Sequence, residues 1–264
     1  MLRCSPKDWR HMRKPKKDSH KGDNGRLLIC AGSKQYHGSL VLAIRAAVRF
    51  CDLVYVYSPD NEALTRKLKL STPNIIVLAS ARSLVKFMPR IDAVLAGSGW
   101  EESKKNRTLL SLLLKTKKPI ALDAGAFGVL DKRMLHENVL LTPHRGEFMK
   151  LFGIKATAAS VLAMAKKTGA TILCKGHIDF ISDGKHVCSN RIHDVGMTKG
   201  GSGDVLAGLC AALMADHNKP MRAACASAYL LGSCGLRLSK KMGTHYSSWD
   251  LVEELPLAAH TAEK

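Results

Sequence analysis

Short runs of aliphatic and β-branched residues punctuate the chain: GRLLICAG at 25–32, DLVYVYS at 52–58, NIIVLAS at 74–80, IDAVLAG at 91–97, KPIALDAG at 118–125, NVLLTP at 138–143 and ATILCKG at 170–176. Their near-continuous apolar character predicts strands covered on both faces, because a strand with one wet face alternates instead. Between them, SLVLAIRAAVRF (39–50), NRTLLSLLLKT (106–116), GEFMKLFG (146–153) and ASVLAMAKKTG (159–169) space their apolar residues for one face of a helix. Strand then helix, repeated, predicts an α/β fold in three layers: a largely parallel central sheet with helices on both faces. After residue 176 the pattern changes. HIDFISDGKHVCSN (177–190) predicts two short strands around a turn at Asp183 and Gly184, and from Ser202 onward the spacing is helical. No linker, low-complexity tract or repeat divides the chain.

In sheets of this kind ligands sit beyond the carboxyl ends of the strands. Here those ends collect Gly, Ser, His, Asp and Lys, in ICAGSKQYHGS, LAGSGWEE, LDAG, LTPHRGE and CKGHIDF. The densest such stretch is MTKGGSGDVLAGLCAAL, residues 197–213. Gly200, Gly201 and Gly203 let amides turn inward with no Cβ in the way, and the apolar run behind them supplies a helix whose first amides carry about half a positive charge. Phosphate suits such a place. A carboxylate does not, and Asp204 therefore stands out as a candidate catalytic base, with helix capping as its plainer role.

Composition narrows the picture. A chain of 264 residues, 46% of them hydrophobic, buries one large core and is not disordered. The eight cysteines form no C-x-x-C pair, and several sit inside apolar runs, so they read as reduced, buried small hydrophobes. No stretch is long and apolar enough to span a membrane and the first residues lack a signal-like apolar centre, which points to the cytoplasm. The formal net charge of +19 attracts polyanions without naming one, and neither C2H2 spacing nor an RNP-like aromatic run supports specific nucleic-acid binding. Residues 1–18 concentrate Lys and Arg among Pro, Asp and His and are expected to form a solvated basic arm ahead of one domain at 19–264.

GSGD before an apolar helix resembles the anion hole of the ribokinase-like superfamily, and further stretches narrow the resemblance. SHKGDNGRLLICAGSKQYHGSLVLAIRAAVR (19–49), ALDAGAF (121–127), NVLLTPHRGEFMKLFG (138–153), CKGHIDFISDG (174–184), GMTKGGSGDVLAGLCAAL (196–213) and SSWDLVEELP (247–256) occur in the order seen in NAD(P)H-hydrate dehydratases. The resemblance implies a ribokinase-like fold and an ADP- or ATP-dependent enzyme that phosphorylates the ring hydroxyl of hydrated NADH or NADPH (NADHX, NADPHX), loses phosphate and restores the cofactor. It also implies Mg2+, with no motif for its protein ligands, and a homo-oligomer, a tetramer. Many relatives carry a second, epimerase domain, for which this length leaves no room.

Carried over residue by residue, the resemblance gives Asp204 as catalytic acid–base group and Gly201, Ser202 and Gly203 as the anion hole. Ser39, opening a helix beside Gly38, joins Gly99, His144 and Asp204 around the hydrated cofactor. Lys175, Gly176, His177, Ile178 and Asp179, with Gly203, hold the nucleotide. On the residues alone, His144 reads as a loop histidine bonded to backbone, Glu147 as readily as a helix cap as a group positioning metal or water, and Asp123 as a ligand partner or a loop brace. Two departures stand out. Ser98 replaces the proline of the family's G-P-G and is expected to loosen that backbone. RIHDVGM (191–197) replaces an asparagine-rich turn, which weakens the case for adenine or ribose contacts there. Two other readings share the glycines and Asp204: a vitamin-precursor kinase of the hydroxymethylpyrimidine or hydroxyethylthiazole type, without LTPHRGE and SHKG, and a non-catalytic RNA-binding protein on the same scaffold, marked by steep salt dependence.

Overall fold

The computed structural model describes all residues, 1–264. Ten strands form one sheet: β1 (Leu2–Arg3), β2 (Arg26–Cys30), β3 (Leu53–Val56), β4 (Ile75–Val77), β5 (Ala93–Ala96), β6 (Ile120–Leu122), β7 (Val139–Leu141), β8 (Thr171–Cys174), β9 (Asp179–Ser182) and β10 (Val187–Asn190). Their spatial order is β1-β10-β9-β8-β7-β6-β5-β2-β3-β4, parallel except where β9 runs against both β8 and β10. The expected strands are present, each trimmed by the turn residues at its ends, and the hairpin at 177–190 falls at β9 and β10. The helices are α1 (Pro6–Arg10), α2 (His37–Ala47), α3 (Glu62–Ser71), α4 (Ala81–Phe87), α5 (Lys104–Lys115), α6 (Ala126–Val129), α7 (Arg145–Phe152), α8 (Ala158–Thr168), α9 (Ser202–Ala215), α10 (Pro220–Met242) and α11 (Ser248–Glu263).

The strands are apolar throughout because successive side chains feed two cores. Leu27, Ile29, Ala93 and Leu95 join one cluster with α2, α9, α10 and α11, while Leu28, Cys30, Val94 and Ala96 join another with α5, α7 and α8. Every residue of α9 from Val205 to Ala215 is buried, so the helix that begins at the glycine-rich turn is sealed in the larger core. The turn is thereby anchored from behind. The chain reverses direction across the sheet between β2 and β5, which are neighbours whose connections leave to opposite sides. Such a switch point opens a crevice at the carboxyl ends, and the start of α2, carrying Ser39, and the loop after β5, carrying Gly99, follow these two strands.

Residues 1–18 do not form the solvated arm that their charge suggests. β1 adds to the sheet edge beside β10, and Cys4, Trp9 and Met12 are buried in the larger core. The Trp9 ring packs edge-on against Phe50 with centroids 5.7 Å apart. Arg10 Nε donates to the Ala262 carbonyl at 3.0 Å, and Arg13 pairs with Asp216 through its Nη1. The basic residues face outward or meet acids, while three apolar residues spaced among them do the packing. The cysteines are all free and, except half-buried Cys51, buried as expected.

Candidate active site

Helix α9 starts on Gly201, whose φ of 96° lies in the left-handed region. Its helical ladder begins with Val205, whose amide donates to the Gly201 carbonyl at 3.1 Å, so the amides of Ser202, Gly203 and Asp204 stay outside it. Ser248 Oγ donates to the Gly200 carbonyl at 2.7 Å and fixes the turn from the start of α11. The result is a cluster of free donors at a buried helix's N-terminus, the arrangement that holds a phosphoryl group.

Lys175 follows β8 and points at this turn: a Cβ on Gly203 would stand 3.2 Å from its Nζ. The ammonium bonds Asp123 Oδ1 at 2.8 Å. Burial works against the Lys175 charge, but Asp123 outweighs it and holds the group above its ordinary range. Asp123 also accepts from Thr142 Oγ1 at 2.8 Å and from Ser98 Oγ at 3.1 Å. Ser98 is fully buried, so the expected loosening does not occur; its hydroxyl bond to Asp123 supplies the fixation that proline would give through φ.

Asp204 lies one residue past Gly203, half-buried at the head of α9. Burial pushes its carboxyl up to about 6, the Asp123 charge adds to that, and Ser39 and Lys175 pull it back. A carboxylate of that kind is largely ionised at neutral pH yet basic enough to take a proton from a hydroxyl. Ser39 and Gly99 adjoin it from neighbouring strand ends. A Cβ at Gly99, where φ is 70°, would lie 2.9 Å from Ser39 Cβ, so only glycine lets these loops close.

His144 caps α7. Its Nδ1 accepts from the amides of Gly146 at 3.0 Å and Glu147 at 3.2 Å, while Glu147 Oε2 accepts from the His144 amide at 2.8 Å. The plain capping role is therefore real, and it has a chemical by-product. Because Nδ1 is the acceptor, the neutral ring carries its proton on Nε2. That ring is 61% exposed, with Nε2 standing 3.6 Å from Glu147 Oε1. His144 also bridges Lys175 across adjacent chain segments, which brings the two predicted subsites to one rim.

On the other side of the turn is a cleft of about 410 Å3. Lys175, Gly176, His177, Asp179, Ser202 and Gly203 form its polar wall, with Leu206, Ala228 and Leu231 beneath. Ile178, expected among the nucleotide residues, is half-buried and does not line it. Asp179 braces the wall: Oδ1 accepts from the Gly176 amide at 2.9 Å and Oδ2 from Asn190 Nδ2 at 3.0 Å. Sequence reasoning missed Asn190 and undervalued 191–197. Ile192, His193, Asp194, Val195 and Met197 all line the cleft, and His193 Nε2 meets His177 Nδ1 at 2.9 Å. A polar asparagine closing a buried strand was the available signal for the first. For the second nothing in RIHDVGM identifies a wall, since the turn's placement comes from Tyr246 Oη, which donates to Asp194 at 2.8 Å from far along the chain.

An α/β sheet with this strand order, with free amides at a glycine turn beside an acid, defines a ribokinase-like fold. The fold superposes on a ribokinase-like superfamily protein from Enterococcus faecalis with a TM-score of 0.90 at 22% identity, covering 100% of this chain and 97% of that one. A family model described as NAD(P)H-hydrate dehydratase matches residues 27–257, and the chain belongs to that family. It is 36% identical to an ADP-dependent (S)-NAD(P)H-hydrate dehydratase of Cenarchaeum symbiosum, over 91% of this chain and 90% of the relative. It also matches an ADP/ATP-dependent NAD(P)H-hydrate dehydratase of Bacillus subtilis, co-crystallised with ATP/Mg2+, with a TM-score of 0.84 at 22% identity over 99% of both chains. No helix is long and apolar enough to cross a membrane.

Proposed function

We propose that this chain dehydrates NADHX and NADPHX to NADH and NADPH with ADP as phosphoryl donor, and that Asp204 is its base. The observation that carries this is an aspartate with a carboxyl pushed up to about 6, set beside free amides and a lysine rather than away from them. The nucleotide occupies the cleft, with its terminal phosphoryl group between Lys175 Nζ and the Gly201–Gly203 turn. The hydrated ring lies on the Ser39, Gly99 and His144 side, where His144 Nε2–H donates to its carboxamide. Asp204 takes the proton of the ring hydroxyl as that oxygen attacks phosphorus, and the P–O bond to AMP breaks. The ring phosphate then departs with its C–O electron pair, the neighbouring carbon gives up a proton, and the double bond returns. The hole amides and Lys175 stabilise the charge that spreads over the phosphoryl oxygens during transfer.

Mg2+ would neutralise nucleotide phosphates, but the acids here do not form a cage for it. Both Asp123 oxygens are taken by Lys175, Thr142 and Ser98, and Glu147 is engaged by His144. The ion is better carried on the phosphates themselves. The test is return of the reduced-nicotinamide absorbance from hydrated NADH with ADP or ATP supplied separately. No recovery with either nucleotide, alongside turnover of a thiazole alcohol with ATP, would replace this reading with the precursor kinase.

A further inference from the structure

Behind the Asn190–Ala228 end of the cleft, three cysteines converge at the sheet edge. Cys4 follows β1, Cys188 lies in β10 and Cys225 on α10, and their Sγ atoms are all within 4.8 Å of one another, with Cys4 and Cys188 3.6 Å apart. All three are buried. Packing as small hydrophobes accounts for single cysteines such as Cys30 or Cys210, each among aliphatic neighbours. It gives no reason for three sulfurs from a strand, its neighbour and a covering helix to meet at one point.

Two chemistries use such a cluster, a disulfide or a thiophilic ion, and strand register separates them. β1 and β10 are parallel, with Leu2 opposite Cys188 and Arg3 opposite Ser189. Cys4 therefore shares a face with Cys188 but stands two positions further along, a diagonal neighbour. Strands spaced about 4.8 Å apart with a rise of about 6.6 Å over two residues set such Cα atoms about 8 Å apart, and a disulfide does not close beyond about 7 Å without moving backbone. Thiolates bound at about 2.3 Å to one ion stand about 4 Å apart, which matches the observed spread.

We infer that Cys4, Cys188 and Cys225 form a trigonal thiolate site for a soft d10 cation of the Cu(I) or Zn2+ class, which hard Mg2+ does not enter. The site is empty. On binding a divalent ion, three thiols release three protons to solvent and three metal–sulfur bonds form, leaving a complex of net charge −1. The ion would act as a staple. β1 has only two residues, both exposed, and the Cys4 amide donates to the Ser189 carbonyl at 2.9 Å, so an ion on Cys4 would add a second tie to this short edge.

The experiment titrates the fully reduced protein with Cd2+ alone, following the ultraviolet thiolate-to-metal band and proton release, against Mg2+ as control. The wild type is expected to take one tight equivalent with release of up to three protons, and Cys225→Ser to lose that equivalent while keeping its melting temperature without metal. Because a variant can misfold, wild-type amide exchange provides the second readout: the Cys4 amide should slow by roughly tenfold or more when Cd2+ is bound at a hundredfold excess over its dissociation constant. Equal uptake by folded Cys225→Ser, or unchanged exchange at Cys4 with the ion bound, overturns the site. So does quantitative Cys4–Cys188 disulfide formation with glutathione disulfide, with two thiols oxidised and one glutathione disulfide reduced, at an undiminished melting temperature.

Discussion

The loop after β6 and the turn before α9 each present one aspartate to the same lysine, and the protein treats them in opposite ways. Asp123 receives three donors, from Lys175, Thr142 and Ser98, and has almost no exposed surface. Asp204 is left with Ser39 and a more distant Lys175, while burial and the Asp123 charge drive its carboxyl up to about 6. A saturated carboxylate fixes geometry, because moving it breaks several bonds at once; an under-served one holds a proton-accepting capacity that folding has not spent. On the function proposed above, the neighbouring pair divides into a brace and a base. The cost falls on stability: a carboxyl raised by folding favours the folded state below its unfolded value near 3.8 and loses that contribution as pH rises through about 6.

The sharpest way to break this division is Asp204→Asn. Turnover should fall by roughly 100-fold or more with nucleotide affinity little changed, since the amide keeps the shape but accepts no proton. The same variant should be more stable than wild type above pH 6, on the order of 1–3 kcal/mol, and equal to it near pH 3, measured by denaturant unfolding across pH. Loss of stability with normal turnover would exchange the two roles.

Asp123→Asn should act on both. Without its counter-charge Lys175 loses its aim, costing roughly tenfold or more in kcat/KM and about 3 kcal/mol of stability. With the repelling charge gone, the acid limb of the pH–rate profile, expected near pH 6, should move to lower pH. A control away from the rim is deletion of residues 1–13. Loss of Trp9 and its neighbours from the core should cost about 3 kcal/mol in unfolding free energy and leave the acid limb where it was. The smallest expected effect is Ser39→Ala. Removing a bond that lowers Asp204 should raise the acid limb by less than about one pH unit, opposite in sign to Asp123→Asn, and a shift the other way would mean that Ser39 does not serve the carboxylate.

The sheet was legible because buried strands leave unbroken apolar runs, as LLIC and AVLA do, and the glycine turn because its residues have little other use. The brace was not legible. Asp123, Ser98 and Thr142 sit in three separate strand-end loops, and only the lateral order of the strands brings them together. Helices α3 and α4 went unnoticed, since each buries few residues and their charged faces dominate the spacing. In the same way the Lys and Arg of residues 1–18 hid Cys4, Trp9 and Met12, whose burial depends on a surface formed by α10 and α11 that no local pattern announces.

The glycine turn has a consequence in time as well as in space. Its carbonyl at Gly200 is held by Ser248, and the Lys199 ammonium bonds the carbonyls of Thr244 and Tyr246, so the segment that sets the turn is made after it. A growing chain that has already produced Asp204 and the whole of β2 to β10 still lacks these clamps. A chain interrupted between Ala215 and Thr244 would carry Gly200 to Asp204 and yet leave their loop unclamped.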